Sequence, residues 1–348
     1  TTLFRSHLFT MIQSHLRWHC YERSSSMSWK KKLTTGAVLA SLTAGTIYTI
    51  NKIISFTSTL DNLLCKEDGH YFDWRFGKIF YRKQGEGKPI LLIHDLTVNS
   101  SSHEWNKLVK SLKKRNTVYT IDLLGCGHSE KPNLTYTNFL YVQLLTDFIK
   151  TIIGEKTDVI ATGTSSSFVL MACANDDSLF DRIMMINPTN LSTLATIPTK
   201  RTKLLRYLLL TPLIGTFLYN ILMSKRLSDQ NFFEENFHNP EALDVEIKNS
   251  YYESSHLDSS HGKYLLGSIL GRYTNANMFH ALKNINNSIF LIASTGSGEN
   301  IAIAEQYRNY IPSIEITTLK DSVHFPQLET PQTLLEQIDL FLGVEEES

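Results

Sequence analysis

The sequence has no excess of charge of either sign and no informative cysteine pattern. Its 348 residues contain 34 Lys and Arg and 34 Asp and Glu, so no net field would recruit nucleic acid. Its four cysteines lie far apart without CxxC spacing, which argues against a disulfide framework. The histidines lack metal-ligand spacing, and no dinucleotide-binding glycine fingerprint follows the first buried strand. We therefore expect no metal and no cofactor.

The composition allows a sizeable core. The apolar fraction is 42% and the charged fraction is 20%, both ordinary for a globular protein. The length allows one large domain or two modest ones.

The first residues of the chain need separate treatment. The opening Thr-Thr-Leu-Phe-Arg-Ser corresponds to the translation of a common sequencing adapter. We therefore expect residues 1–26 to be a non-native leader, with the natural start at Met27, and we exclude them from fold reasoning.

A long uncharged stretch follows this start. Leu33 to Asn51 carries no formal charge, and a helix of that length covers about 28 Å, close to one bilayer hydrocarbon core. We expect a single N-terminal membrane anchor over 27–52, with a cleaved signal peptide and a soluble amphipathic helix as alternatives. Lys30, Lys31 and Lys32 precede the stretch, whereas only Lys52 follows closely, so the rest is expected outside the cytoplasm.

Apolar runs of strand length alternate with helical patterns after a connector at 53–70. This rhythm predicts a mostly parallel twisted sheet with helices on both faces, built from 71–194 and 281–343. The intervening stretch, 195–280, has helical patterns and is expected to be a cap inserted after the sixth strand. Its apolar segment 208–222 is interpreted as lining a cleft, with a second membrane span as the alternative.

A small-residue turn follows the apolar strand 157–162. Gly163 and Thr164 lead into three serines at the start of a predicted helix, where a central serine, Ser165, would stand above the sheet. The N–H of Ser166 would then donate to a developing oxyanion. The alternative is that these serines only cap a helix.

Four segments in order carry a family resemblance. They are PILLIHDLTVNSSSHEW (89–105), DLLGCGHSEKP (122–132), VIATGTSSSFVLMA (159–172) and SVHFPQLETPQTLLEQIDLFL (322–342). From about Tyr71 to Leu342 the chain resembles the α/β-hydrolase fold family, in its capped branch with epoxide-hydrolase-like and dehalogenase-like members, of a bacterial membrane-anchored type. The resemblance implies the α/β-hydrolase fold.

The resemblance also implies roles for individual residues. Ser165 occupies the nucleophile position and His324 the general-base position. The N–H of Leu96 is expected to be the second oxyanion donor. Trp105 matches an aromatic residue near the cleft, and His94, Asp95 and Trp105 are expected to line the substrate pocket.

Three departures from the family pattern stand out. Asp95 follows His94 where the family has glycine, so a carboxylate lies beside the expected oxyanion hole and substrate pocket. Ser167 replaces a second glycine. The triad acid is obscure: Glu299 is our candidate, because the other family position offers only the amides Asn187 and Asn190, and Asp321 is too close to His324 in sequence.

These observations predict a serine hydrolase that cleaves an ester or thioester of an apolar acyl group through an acyl-enzyme. The partners would be a small apolar substrate and a membrane. The alternative is a catalytically impaired binding or scaffold protein, favoured by the departures above. An aspartate nucleophile, as in dehalogenases and epoxide hydrolases, is disfavoured because the turn holds serine.

Overall fold

The computed structural model describes residues 29–64 and 68–343. The predicted leader, 1–26, lies outside the described residues. The chain divides into two compact units, residues 1–49 and 50–348, and the second contains the sheet. The proposed boundaries between anchor, connector, core and cap remain predictions.

The N-terminal helix α1 spans Trp29–Thr57, and none of its residues is buried. Among the described residues it is the one unbroken helix long and apolar enough to cross a membrane, a property that a signal sequence shares. It continues through Lys52 into the stretch predicted as a connector, and the Thr57 hydroxyl donates to the Ile53 carbonyl one turn earlier.

The sheet has eight strands in the order β1-β2-β4-β3-β5-β6-β7-β8. The first two strands form the predicted hairpin, β2 also pairs antiparallel with β4, and all remaining neighbours are parallel. The strands are β1 His70–Trp74, β2 Gly77–Gln84, β3 Lys88–Ile93, β4 Asn116–Ile121, β5 Thr157–Thr162, β6 Phe180–Ile186, β7 Ser288–Ser294 and β8 Glu315–Leu319. The predicted mostly parallel α/β-hydrolase sheet is confirmed.

The central strands are largely buried because helices cover both faces of the sheet. Every residue of β5 is buried, and β3 is buried from its second residue onward. One apolar cluster lies on each side of the sheet: Leu91 and Val159 belong to one, and Ile90 and Ile160 to the other. The alternation of neighbouring residues between the clusters is the two-residue period of a strand.

The longer helices follow the predicted order. They are α2 Asn106–Leu112, α3 Asn138–Phe148, α4 Ser165–Asn175, α5 Lys200–Leu210, α6 Ile214–Leu222, α7 Val245–His256, α8 Lys263–Leu270, α9 Gly298–Tyr310 and α10 Pro331–Leu342. Short helical segments lie at Ser102–Trp105, Ile149–Ile153, Asp177–Leu179, Leu191–Leu194, Lys225–Ser228, Asp229–Phe233, Glu234–Asn236, Pro240–Ala242, Ala281–Asn284 and Pro326–Glu329.

The helical insertion lies between β6 and β7, as predicted. Part of it packs on the core through an aromatic cluster in which Phe233, Phe237 and Tyr251 of the insertion contact Phe325. Phe325 follows His324 directly, so this cluster holds the insertion next to the predicted base.

The apolar segment 208–222 is not a single straight helix. α5 and α6 meet at a bend of 103°. Leu209 and Tyr219 are buried, but Leu208 and Ile214 are exposed. The expectation that this segment lines a cleft is therefore wrong for these exposed positions.

The turn after β4 is built around a buried carboxylate. Asp122 accepts hydrogen bonds from the backbone N–H of Ser102 (2.7 Å) and of His128 (2.8 Å). Gly127 has φ +47°, and a Cβ there would lie 2.1 Å from the Asp122 carboxylate. The glycine is thus required by this close approach, and the turn fixes the loop that follows β3.

Candidate active site

The turn after β5 bends at Gly163. β5 ends at Thr162, α4 begins at Ser165, and Gly163 has φ +57° in the left-handed region. In a strand–turn–helix elbow the residue in this strained conformation is the one presented above the sheet. The apex of the elbow is therefore two residues earlier than Ser165, and its residue carries no side chain.

The space above Gly163 is filled by the side chain of Asp95. A Cβ on Gly163 would lie 2.4 Å from Asp95 Cγ, so no larger residue fits while the carboxylate is there. Asp95 follows the neighbouring strand β3, whose Ile93 pairs with Ala161 of β5. The carboxylate thus enters the elbow from the adjacent strand end.

One oxygen of Asp95 occupies the position expected for an oxyanion. Asp95 Oδ1 accepts hydrogen bonds from the N–H of Leu96 (2.7 Å) and from that of Thr164 (2.8 Å). The N–H of Leu96 therefore bonds to Asp95 here, and its role as an oxyanion donor stays a prediction. The N–H of Ser166 instead donates to Gly163 O (3.3 Å) within the turn, so the prediction for Ser166 is wrong.

The other oxygen of Asp95 faces the predicted base. His324 Nε2 lies 2.9 Å from Asp95 Oδ2, and the two side chains are 20% and 10% exposed. The pair is therefore reachable from solvent yet largely desolvated, a setting in which charge interactions are stronger than in water.

Ser165 does not meet this imidazole. Its side chain is fully buried, and its hydroxyl donates to the backbone carbonyl of His94 at 2.6 Å. The expectation of an exposed Ser165 hydroxyl opposite His324 is contradicted. The hydroxyl instead joins the start of α4 to the end of β3.

The loop that carries His324 is held by two amide side chains. Asn187 Nδ2 donates to the carbonyls of His324 (3.0 Å) and Val323 (3.3 Å), and its Oδ1 accepts from Ser294 N (2.8 Å). Asn300 Nδ2 also donates to Val323 O (2.7 Å). The family pattern allows the triad acid at a position after β6. In this chain that position holds the amide of Asn187, which anchors the loop that carries His324.

The predicted triad acid lies away from the imidazole. Glu299 is exposed in the first turn of α9. Within residues 29–64 and 68–343, Asp95 is the only carboxylate within 4.0 Å of a ring nitrogen of His324, and it faces Nε2. The geometry therefore contradicts Glu299 as the group that orients His324 through Nδ1.

The other two predicted pocket residues are buried supports. His94 Nε2 accepts from Leu123 N (3.0 Å), so its proton is on Nδ1, which donates to Asp95 O (2.6 Å). Burial lowers the pKa of His94, which keeps the ring neutral. Trp105 is fully buried, and its Nε1 has no hydrogen-bond partner.

A second buried acid lies near Asp95. Burial raises the pKa of Glu104 to about 8, and the nearby charge of Asp95 raises it further in the same direction. Burial, followed by the charge of Glu104, raises the pKa of the Tyr251 hydroxyl. Gln327 Nε2 donates to Glu104 at 3.3 Å. At neutral pH the Glu104 carboxyl and the Tyr251 hydroxyl are therefore protonated and uncharged.

A well-formed cavity lies away from the Asp95–His324 pair. A space of about 540 Å³ separates residues 127–133 from Leu257, Asp258, His261 and Tyr264. None of the groups that bond to Asp95 lines it. Among the described residues, no cluster of three or more His, Cys, Asp or Glu side chains could hold a metal ion.

The sequence reasoning missed Gly163 and Thr164. The elbow pattern needs small residues two positions before and two positions after its central residue. Gly163 fits as the central residue, with Ala161 before it and Ser165 after it. In this alignment the central residue comes directly after strand β5. The second signal was Asp95. Its carboxylate fits beside the elbow only if the central residue of the elbow has no side chain, as in Gly163.

Comparisons with known proteins agree with this architecture. A family profile described as alpha/beta hydrolase fold matches residues 88–331. A 2-hydroxy-6-oxo-6-(2'-aminophenyl)hexa-2,4-dienoic acid hydrolase from Metapseudomonas resinovorans is 34% identical over 71 residues, 20% of this chain and 24% of that protein. An uncharacterized Mycobacterium tuberculosis protein is 29% identical over 107 residues, 31% of each chain. The matched region thus spans less than a third of either curated relative.

Solved structures are similar in fold over most of the chain. A bacterial membrane phospholipase A has a TM-score of 0.62 at 17% identity, covering 92% of this chain and 100% of that one. An epoxide hydrolase has a TM-score of 0.65 at 17% identity, covering 79% and 98%. At these identities the likeness concerns the fold alone.

Proposed function

Because the chain belongs to the α/β-hydrolase fold family, we propose that it is a hydrolase in which Asp95 replaces the elbow nucleophile and His324 activates water. The single observation that carries this proposal is the Asp95 carboxylate, with Oδ1 on two backbone N–H groups and Oδ2 on the imidazole. A carboxylate held in this way has one oxygen for attack and one in a ready-made oxyanion site.

The chemistry has two steps. Asp95 Oδ2 attacks an electrophilic carbon while that carbon's bond to an epoxide oxygen or a halide breaks, which forms an alkyl ester of Asp95. His324 then takes a proton from water, and the water oxygen bonds to Asp95 Cγ while Leu96 and Thr164 hold the charge on Oδ1. The bond from Cγ to the alkyl oxygen breaks and the alcohol leaves with the proton from His324, which leaves Asp95 as a carboxylic acid. Its proton returns to the group that protonated the epoxide oxygen, or passes to bulk water where a halide left, and the carboxylate is restored.

A proton for a leaving epoxide oxygen has a source nearby. Glu104 and Tyr251 are both buried near Asp95, and their raised pKa values keep them protonated at neutral pH. Within the described residues neither Glu104 Oε1 nor the Tyr251 hydroxyl has a partner at full hydrogen-bond geometry, although the two groups lie close enough for each to affect the other's pKa. A polar group of a substrate would therefore find a donor in either of them.

The surroundings favour an apolar substrate. The His324 ring packs edge-on against Phe325 with centroids 4.5 Å apart, and Phe325 stacks on Phe237 of the insertion. We therefore propose an epoxide or a halide on an apolar carbon chain as the substrate class.

The ester or thioester route through Ser165 has less support. Its hydroxyl would have to leave the His94 carbonyl, and the oxyanion donors would have to release Asp95 Oδ1. Each step breaks a buried hydrogen bond that has no replacement in this arrangement.

A binding or scaffold function is the second candidate. It is favoured by the absence of a carboxylate behind His324 among the described residues and by the occupied oxyanion donors. In that case the Asp95–His324 pair would hold the elbow and the base loop together without turnover.

Turnover of apolar epoxides, haloalkanes and nitrophenyl esters by the full chain tests these functions. We expect epoxide or halide turnover that falls by at least about 10²-fold in Asp95→Asn and His324→Gln. The control Ser165→Ala should change it by less than about twofold. Ester turnover that disappears only in Ser165→Ala would overturn the proposal, and no turnover of any class would favour the binding function.

A further inference from the structure

The insertion carries an exposed apolar surface that the site does not use. We call it the cap face and define it by Ile197, Leu204, Tyr207, Leu208, Ile214 and Ile221, whose side chains are between 43% and 73% exposed. Leu204, Tyr207 and Leu208 have the spacing of one stripe on α5, and Ile214 and Ile221 that of one stripe on α6. Large apolar side chains exposed in this number on one helix pair favour an interaction site.

The charge around the cap face is of one sign. Residues 183–228 contain six Lys and Arg and no Asp or Glu. Lys200, Arg201, Lys203, Lys225 and Arg226 of this set are exposed. Apolar side chains flanked by lysine and arginine are typical of helices that lie in the interface of an anionic membrane.

The bend of the cap face is tied to the end of the N-terminal apolar stretch. Asn51 Nδ2 donates to the carbonyl of Leu213 at 3.2 Å, and Asn51 Oδ1 accepts from Asn220 Nδ2 at 2.9 Å. Asn51 is the last residue before Lys52, where the uncharged stretch stops. Asn51 belongs to the same compact unit as α5 and α6, so these hydrogen bonds fix the bend within that unit.

From these observations we infer that the cap face binds the surface of a lipid bilayer that contains anionic headgroups. α5 and α6 would lie with their exposed stripes among the acyl-chain ends, and Lys200, Lys203 and Arg226 would contact the headgroups. A second copy of the chain fits less well, because a two-fold contact would place this uniformly basic face against itself. The inference is independent of the reaction proposed above.

Depth-dependent quenching in the full chain tests this inference. A fluorophore is attached to Tyr207→Cys in a Cys20→Ser, Cys65→Ser background, and the protein is reconstituted in vesicles of phosphatidylcholine and phosphatidylglycerol with nitroxide-labelled acyl chains. Leu340→Cys is the matched control, because Leu340 is equally exposed, at 68% against 69%, on α10.

We expect quenching at position 207 to exceed that at position 340 by at least about threefold. Replacing phosphatidylglycerol by phosphatidylcholine, or introducing Lys200→Glu with Lys203→Glu, should lower it by about half or more. Equal quenching at the two positions would overturn the inference. Energy transfer between labels at position 207 on two copies, without lipid quenching, would identify the face as a dimer contact and also overturn it.

Discussion

The elbow after β5 and the loop that carries His324 differ in how far each departs from the family pattern. The loop keeps His-Phe-Pro and holds the imidazole at the carboxyl edge of the sheet. The elbow keeps its backbone bend and its N–H donors, but its apex is Gly163, which has no side chain. In the proposed mechanism the reacting group is therefore supplied by Asp95 after β3, whereas the N–H donors remain at the elbow.

The parallel sheet makes this exchange possible. β3 and β5 are hydrogen-bonded neighbours, so their carboxyl ends open into the same space. A side chain two residues beyond β3 reaches the volume that a residue at position 163 would otherwise fill. An active site of this fold is therefore a set of positions in space, which more than one strand end can supply.

The largest effect is expected from restoring the family pattern at the elbow. The double variant Asp95→Gly/Gly163→Ser removes the carboxylate and places a hydroxyl at the elbow apex, opposite His324. We expect labelling by a fluorophosphonate probe to rise by at least about 10²-fold over the unmodified chain. In-gel fluorescence after labelling measures the effect.

The single variants are the controls. Gly163→Ser alone would collide with the Asp95 carboxylate, and Asp95→Gly alone has no nucleophile at the apex, so neither should label. Strong labelling of the unmodified chain that is lost in Ser165→Ala would contradict this account of the elbow.

The Asp95 side of the site should show a pH-dependent stability that comes from Glu104. Its pKa is raised to about 8 in the folded protein, so the folded state holds a proton that the unfolded state has lost. Glu104 contributes its full share to the free energy of unfolding below the pKa that it has in the unfolded chain. This contribution is lost as the pH rises to its folded-state pKa of about 8. From about pH 6 to pH 9 the loss should be about 2–3 kcal/mol.

Urea denaturation of the unmodified chain and of Glu104→Gln at both pH values measures this effect. Glutamine matches the protonated acid in shape and cannot ionise, so the variant should lack the Glu104 share of the pH dependence. Parallel pH dependence in the two proteins would contradict a buried, protonated Glu104.

The His324 side should depend on Asn187. Asn187→Ala removes the hydrogen bonds to the base loop and to Ser294, and it places alanine at φ +44°. We expect the free energy of unfolding to fall by about 2 kcal/mol. Asn190→Ala is the matched control, since Asn190 only caps a short helix through Ser192 N, and its cost should be about 1 kcal/mol or less. Equal costs would argue against a special anchoring role.

The smallest effect is expected at the residue that the sequence favoured as the triad acid. Glu299→Gln should change turnover of any active substrate by less than about twofold, because the side chain is exposed and far from His324. A loss comparable to that in His324→Gln would mean that α9 rearranges to bring Glu299 behind the imidazole.

The sequence was sufficient for the sheet but not for the elbow. β7 and α10 have strong local signals, because β7 is an apolar run of strand length and α10 begins at Pro331 and ends before Gly343. The elbow frame depends on the conformation of one residue, Gly163, and two frames fit the same small residues. Gly163 has no side chain that could act as a nucleophile, so the sequence pattern favours Ser165.

The sequence around Asp95 and around His324 does not indicate that the two side chains pair. Asp95, Gly163 and His324 are far apart in the chain, and only the strand order brings them together. The sequence marked Asp95 as a carboxylate beside the oxyanion donors. It could not indicate that the carboxylate occupies them.

Mass mapping of the covalent adduct formed with an apolar 1,2-epoxide tests the central claim most directly. The His324→Gln variant should accumulate the adduct, because attack by water is slowed while attack by Asp95 is not. We predict that the mass of the bound epoxide appears on the peptide containing Asp95 and not on the peptide containing Ser165. An adduct on Ser165, or none on Asp95 after prolonged incubation, would contradict the claim that Asp95 has taken the nucleophile's place.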